Sequence, residues 1–275
     1  MYMKNRIDDL HTHSIHSDGC NTPTEIVKIA LSQNITNLAL TDHDDIEGSK
    51  EIIKYNSSKI NSGVALTIKY KQGRMHLLGY NIDVDNPTLN KVLREIKEIS
   101  IYNILLYISL LKKEYSITFP QFEIDSLLNT KGNIGRPQLA KLLIKYGFCN
   151  NVDECFDRYL NPVYDKARKV KRGITLEEGV SLIHQAGGTT SLAHPNSLKY
   201  TNSEFAEIMP YFVATGIDSL ETTHPNLTSE ERTFYHEQAN KYNLLESGGS
   251  DYHGIDIKPD ITLGLGRNNN IYIPE

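Results

Sequence analysis

Short apolar runs that stop on histidine or acidic residues constrain this chain more than any other feature. "RIDDL" leads into His11 and His13, "NLALT" into Asp42 and His43, "TTSLA" into His194, and "LLES" into Asp251 and His253, while "IDSLE" closes on Glu221. The segments between them have helical character. Thr22 and Glu25 have capping-box spacing with Pro23 at the first helical position, and Thr175/Glu178 and Thr228/Glu231 repeat the spacing. Strands that alternate with helices favour a mostly parallel sheet or barrel. If the strands are parallel neighbours, the polar residues at their C-terminal ends converge on one edge, the edge that carries the active site in α/β barrels.

The alternation is broken once. After the hairpin expected from "VALTIKY", "KQGR" and "MHLLGY", the chain reads as one long helix from about Pro87 to Glu114, with Leu89, Val92, Leu93, Ile96 and Ile99 on one stripe. Shorter helices are expected around Pro137–Tyr146 and Val152–Leu160, and no strand is evident before about Val170. The expected organisation is therefore a barrel in two pieces, residues 1–85 and 171–275, with a helical insertion at 86–170. "IYI" near the end could add a last strand.

Composition narrows the functional class. The formal net charge of -5 argues against a broad nucleic-acid surface. No apolar run approaches the roughly 18 residues of a membrane span, and the first residues turn charged too soon for a signal peptide. The three cysteines, Cys20, Cys149 and Cys155, lack metal-type spacing and suit a reducing cytoplasm better than a disulfide framework. There is no phosphate loop of the G-x-x-x-x-G-K type and no G-x-S-x-G elbow.

Chemistry is therefore expected from metal ions. His11 and His13, two apart on a strand end, point to the same side, as do Asp251 and His253. Asp18, in the turn "SDG", can curl back toward them. Asp44 and Asp45 read as the acidic start of a helix, which leaves His43 unexplained. His16 reads as solvent-facing or as support for other residues, and His184 and His236 as surface positions on helices.

Taken together, "DLHTHSIHSDG", "LALTDHDDIEG", "MHLLGYNID", "GGTTSLAHP" and "GGSDYHG" resemble the PHP (polymerase and histidinol phosphatase) family of metal-dependent phosphoesterases. "IGRPQLA" and "FDRYLNPVYDKARKV" resemble the helical insertion of its stand-alone nucleotide-phosphatase subgroup. The resemblance implies a distorted seven-stranded β/α (TIM-like) barrel with an inserted helical subdomain. It also implies two or three divalent metal ions, of Mn, Fe or Zn type. His11, His13 and Asp251 would hold one ion, His76 and His194 a second, and Asp18, His43 and His253 a third, the last set serving catalysis. Arg136, Arg158 and His224 would contact the substrate. The implied reaction is hydrolysis of a small phosphomonoester, such as a nucleotide or nucleoside bisphosphate, by a metal-activated water.

The pattern departs from the family in places. The family's glutamate that bridges two metals falls on Ala65, whose methyl group cannot ligate. Histidines of the family fall on Gln138 and Leu227, the latter with His224 close by as a substitute. These departures raise a second reading, a relative that binds metal or nucleotide without turnover. A DNA nuclease fits the acidic balance poorly, and a histidinol-phosphate phosphatase shares the metal residues but not the insertion.

Overall fold

A computed structural model describes residues 8–130, 132, 134–167 and 173–271. The chain divides into two compact units, Met1–Lys91 with Gly173–Glu275, and Val92–Arg172.

The first unit is built on seven strands in sequential order: β1 (Asp8–Asp9), β2 (Asn37–Leu40), β3 (Ile60–Ile68), β4 (Met75–Tyr80), β5 (Thr189–Leu192), β6 (Ser219–Thr223) and β7 (Leu245–Gly248). Pairing is parallel except where β4 runs antiparallel to both β3 and β5. The expected hairpin is thus β3–β4, and it gives the barrel its distortion. Beyond the short β1, closure is carried by Leu10 N–H to Gly248 O at 3.1 Å, His13 N–H to Tyr252 O at 2.8 Å and a parallel bridge from Thr12 to Tyr252. An expected last strand at "IYI" falls largely outside the described residues.

Helices α1 (Pro23–Ser32) and α2 (Glu47–Ile52) belong to this unit, and α3 (Pro87–Tyr115) begins in it. The second unit continues α3 and adds α4 (Gln121–Leu128), α5 (Arg136–Lys145), α6 (Val152–Cys155), a π-helical turn at Phe156–Leu160 and α7 (Asn161–Lys166). Helices α8 (Leu176–Gln185), α9 (Asn202–Ala214) and α10 (Ser229–Lys241) complete the first. Helices α1, α8, α9 and α10 each start on a threonine whose hydroxyl accepts the N3 N–H while the N3 glutamate accepts the cap N–H.

Strand parity sorts the side chains. Ala39, Ala65, Leu78, Tyr80 and Ala193 pack together with Leu10 as a layer in which alanines alternate with larger residues. The opposite face of the hairpin meets α8: a Cβ at Gly79 would lie 2.9 Å from Ile183 and one at Gly179 3.1 Å from Leu77. The helical unit has its own core, centred on Ile104, Leu111, Leu139, Leu143 and Leu160, all buried. Cys149 and Cys155 are joined there by a disulfide, with Cα atoms 5.6 Å apart, where free thiols are expected from the sequence. The chain turns into α6 between them, and this brings the two sulfurs together. Cys20 is a free thiol.

Asp9 ties the barrel's first strand to its last loops. Its Oδ1 accepts the Ser250 N–H at 2.8 Å, and its Oδ2 accepts the Ser250 hydroxyl at 2.5 Å and the Gly264 N–H at 2.7 Å. Burial lifts this carboxyl to about 6, against the pull of those bonds. Asp9→Ala strands buried donors, and we expect it to cost about 2–4 kcal/mol, at roughly 1–3 kcal/mol per stranded group, read as a lower urea midpoint.

Candidate metal centre

The residues beyond the strands form the site. His11 and His13 follow β1, His43 follows β2, His194 follows β5, Glu221 lies within β6, and Asp251 and His253 follow β7. His76 lies in β4 and shares the interior parity of Leu78 and Tyr80. His194 and Asp251 are held at φ +28° and +52°, in the region side chains other than glycine rarely adopt. Such strain is common where a structure aims side chains for function.

The imidazoles form a closed ring of neighbours. Centroid separations are 5.1 Å for His11–His13, 4.3 Å for His13–His43, 4.5 Å for His43–His76, 5.1 Å for His76–His194 and 5.7 Å for His194–His11. His253 packs on His13 at 4.3 Å, and His224 on His194 at 5.7 Å. Among the described residues, two sets of ligand atoms are close enough to share an ion: His13, Asp18, His43 and His253, and His11, His224 and Asp251. The sequence-derived sets are thus regrouped. His13 lies with Asp18, and His224, expected to touch substrate, lies beside His11 and Asp251. His13 also keeps its link to Asp251, with Nε2 3.2 Å from Oδ1. His76 and His194 meet each other, Nδ1 to Nε2, at 3.2 Å.

The loop that carries Asp18 is shaped by Asp42. This buried carboxylate accepts the Ser14 N–H, the Ser14 hydroxyl and the Ser17 hydroxyl, each at 2.7 Å. Gly19 completes the turn, since a Cβ there would sit 2.3 Å from the His13 carbonyl oxygen. Asp18 Oδ1 thereby reaches 3.1 Å from His253 Nε2, and Oδ2 3.8 Å from His43 Nε2. His16 is buried against Glu51 at 3.0 Å rather than solvent-facing. Asp44 does not cap a helix. It accepts the N–H and hydroxyl of Thr67 at 2.6 and 2.7 Å. His184 and His236 are exposed and hydrogen-bond to Asp218 and Glu246.

Neighbouring groups fix the tautomers. His11 Nδ1 donates to Glu221 Oε1 at 2.8 Å. Burial opposes ionisation of Glu221, but the charge and hydrogen bond of His11 hold its carboxyl below the usual range. His253 Nδ1 lies 2.8 Å from the Asp251 carbonyl, which can only accept. The Ser197 hydroxyl gives its proton to Arg74 O, so it accepts from His194 Nδ1 at 2.8 Å. In all three rings Nε2 is therefore left with a lone pair. Burial, then the surrounding histidines, drives His13 and His76 well below the ordinary imidazole range and His194 to about 3. Burial would raise Asp18 and Asp251, yet the facing histidines hold both carboxyls well below their usual range. Neutral imidazoles and charged carboxylates are the form in which these residues bind metal. His11 Nε2 and His13 Nδ1 are buried without a hydrogen-bond partner, an arrangement that fits divalent cations. Asp42 and Glu221, which the sequence places at the site-bearing edge without a role, act here by orienting the loop of Asp18 and the ring of His11. Ser197 was not picked out by sequence reasoning.

Arg136 and Arg158 belong to the helical unit. Arg136 donates to Asn161 at 3.0 Å and lies 4.2 Å from the Tyr164 ring centroid, and Arg158 pairs with Glu154. Gln138 accepts the Gly135 N–H at 2.9 Å and so serves as a helix cap. Ala65 and Leu227 are buried.

A β/α barrel with a histidine- and aspartate-lined mouth defines the class, a metal-dependent hydrolase of phosphate esters. The PHP domain pattern matches residues 9–170, and the chain belongs to the PHP domain family of phosphoesterases. It is 28% identical over 268 residues to the 5'-3' exoribonuclease Rnm of Escherichia coli, covering 95% of this chain and 88% of that one. It is 28% identical over 256 residues to a 3',5'-nucleoside bisphosphate phosphatase of Chromobacterium violaceum, covering 89% and 86%. The fold is shared with a sulfate-bound structure from Chromobacterium violaceum described as an amidohydrolase, at TM-score 0.77 and 24% identity over 98% of this chain and 91% of that one. It is also shared with a protein of Bifidobacterium adolescentis assigned to the metal-dependent phosphoesterases, at TM-score 0.78 and 24% identity over 97% and 94%.

Gly19→Ala forces the His13 carbonyl and the Asp18 turn apart. We expect the purified variant to carry less bound metal than the parent by elemental analysis, with its helical circular dichroism retained.

Proposed function

We propose that this enzyme hydrolyses a phosphomonoester of a nucleotide, with a nucleoside 3',5'-bisphosphate as the substrate class. The convergence of Nε2 lone pairs with the Asp18 and Asp251 carboxylates carries the reading. His11, His13, Asp18, His43, His76, His194, Asp251 and His253 would hold the cations. Bound divalent ions supply an acidified water and neutralise phosphoryl oxygens. The chain's own part is orientation. Glu221 keeps the His11 proton on Nδ1, Asp42 holds the Asp18 turn, and burial keeps His13, His43, His76 and His194 neutral. Arg136, with its rigid guanidinium, is a candidate phosphate contact.

The bisphosphate phosphatase relative supports this substrate class. The exoribonuclease relatives widen it to RNA ends, so the acidic net charge does not by itself set nucleic acid aside. The test is phosphate release by purified protein with added Mn, Fe or Zn, offered nucleoside bisphosphates, nucleoside monophosphates and short 5'-phosphorylated RNA. No release with any combination overturns the reading.

Ala65 supports a second reading, binding without turnover. It lies opposite Leu78 on the hairpin, one inward-facing pair away from Thr67 and His76. With a methyl group there, His76 and His194 remain as two imidazoles, fewer than the three protein ligands usual for a catalytic zinc. Ala65→Glu is expected to raise the metal content per chain and to increase phosphate release about tenfold or more. If neither changes, the missing carboxylate is not what limits this centre.

A further inference from the structure

The hairpin loop between β3 and β4 lies on the rim of the barrel mouth. It runs from Lys69 to Arg74, and His76 follows two residues later. The loop is packed on the turn that follows His194. The Arg74 N–H reaches Ser197 O at 3.2 Å, the Ser197 hydroxyl donates to Arg74 O at 2.5 Å, and Gln72 Nε2 donates to Lys199 O at 3.1 Å. The hydroxyls of Tyr70 and Tyr200 meet at 3.0 Å. Gly73, at φ +64°, permits the approach, since a Cβ there would lie 2.2 Å from Ser197 O.

Charge along this chain is uneven. The formal net charge is -5, yet no Asp or Glu occurs from Ile52 to Ile82 or from Gly179 to Ser203. The loop and the turn belong to those two segments, so their packing gathers cations with no anion among them. Lys69, Lys71, Arg74 and Lys199 are all exposed, and none has an ion-pair partner among the described residues. Other lysines are matched, as Lys50 is with Glu47 at 2.7 Å and Lys145 with Glu123 at 2.5 Å. Asp44, which faces Thr67 near the end of β3, is buried. Unmatched like charges on one rim raise a local positive potential that draws anions.

A mononucleotide held by metal ions at the mouth leaves these cations unused. A longer strand does not, because its next phosphates lie outside the ring of imidazoles and each seeks a counter-charge. The strip is one loop and one turn wide, and the net charge elsewhere is negative. It therefore suits one strand rather than the broad phosphate surface of a duplex.

We propose that Lys69, Lys71, Arg74 and Lys199 form a strip that binds the backbone of a single-stranded polynucleotide whose terminal phosphate lies at the metal centre. The proposal rests on the phosphoester reading above and extends it from a nucleotide to a strand.

The test is fluorescence anisotropy with manganese-loaded full-length protein. The probes are 3'-labelled RNA and DNA single strands about ten nucleotides long, with a 5'-phosphate and phosphorothioate linkages that resist hydrolysis. The variant Lys69→Gln/Lys71→Gln/Arg74→Gln/Lys199→Gln is expected to bind about tenfold or more weakly at low salt. Its plot of log affinity against log salt should be shallower by about 0.7 for each cation that meets a phosphate. The variant Lys69→Arg/Lys71→Arg/Lys199→Arg should keep the parent affinity, and both should hydrolyse a nucleoside 3',5'-bisphosphate at the parent rate. Parent-like strand affinity and salt slope in the glutamine variant overturn the proposal. So does tighter binding of a duplex of the same length, or equal displacement of the strand by polyglutamate of matched charge. Binding of RNA but not DNA, or of both, tells which strand is taken. If the fourfold variant does not fold, Lys71→Gln and Lys199→Gln decide singly, each expected to weaken binding about twofold or more. A parent that hydrolyses no nucleotide counts against the phosphoester reading alone, since strand binding is read without turnover.

Discussion

The barrel mouth depends on keeping most of a crowd of buried imidazoles uncharged: burial lowers His13, His43, His76 and His194, while at His11 burial is outweighed by the facing Glu221 carboxylate, which raises it. Rings with centroids 4.3 to 5.7 Å apart could not all take the second proton that makes imidazolium, because buried like charges at such distances repel and the charged form has lost its water. The structure resolves this by burial, which disfavours the imidazolium, and by placing carboxylates where they remain ionised. Glu221, Asp18 and Asp251 are all held below their ordinary range by facing histidines. Neutral nitrogens with inward lone pairs and a few negative oxygens make a cation trap. The outer groups, Glu221, Ser197 and the Asp251 carbonyl, keep each proton on the far side of its ring.

Much of this is legible in the sequence, for a physical reason. Parallel strands bring their C-terminal ends together whatever lies between them, so polar residues that end apolar runs must meet. That logic places His11, His13, His43, His194, Asp251 and His253 at one mouth, and strand parity adds His76. It does not divide them into ion sites. Whether His13 sides with Asp251 or with Asp18 depends on a loop shape set by Asp42, whose three hydrogen bonds leave no periodic signature. His224 has the same difficulty: its place beside His11 and Asp251 depends on the loop that follows β6. Asp44 reads as a helix cap because acidic residues favour helix starts, yet a positive φ of 49° turns it to Thr67. The Cys149–Cys155 link was not legible because composition speaks to compartment and not to how a turn closes.

Ala65 belongs to the interior layer it shares with Ala39, Leu78, Tyr80 and Ala193. The alanines there let the strands close around little volume, and a glutamate at 65 would have to find its counter-charge at once. The position is thus a junction between packing and chemistry. A methyl group suits the packed layer, and a carboxylate would suit a metal ion held by the neighbouring His76.

The threonine–glutamate caps on α1, α8, α9 and α10 bear on substrate recognition. Many barrels hold a phosphate on the free N–H groups that open a helix. Here four helices of the barrel unit engage part of that first turn with their own hydroxyls and carboxylates, and each places a glutamate's negative charge where an anion would otherwise be drawn. Those four helix starts are therefore poor places for an anion to settle, because the hydroxyl and the carboxylate of the cap already occupy part of the first turn.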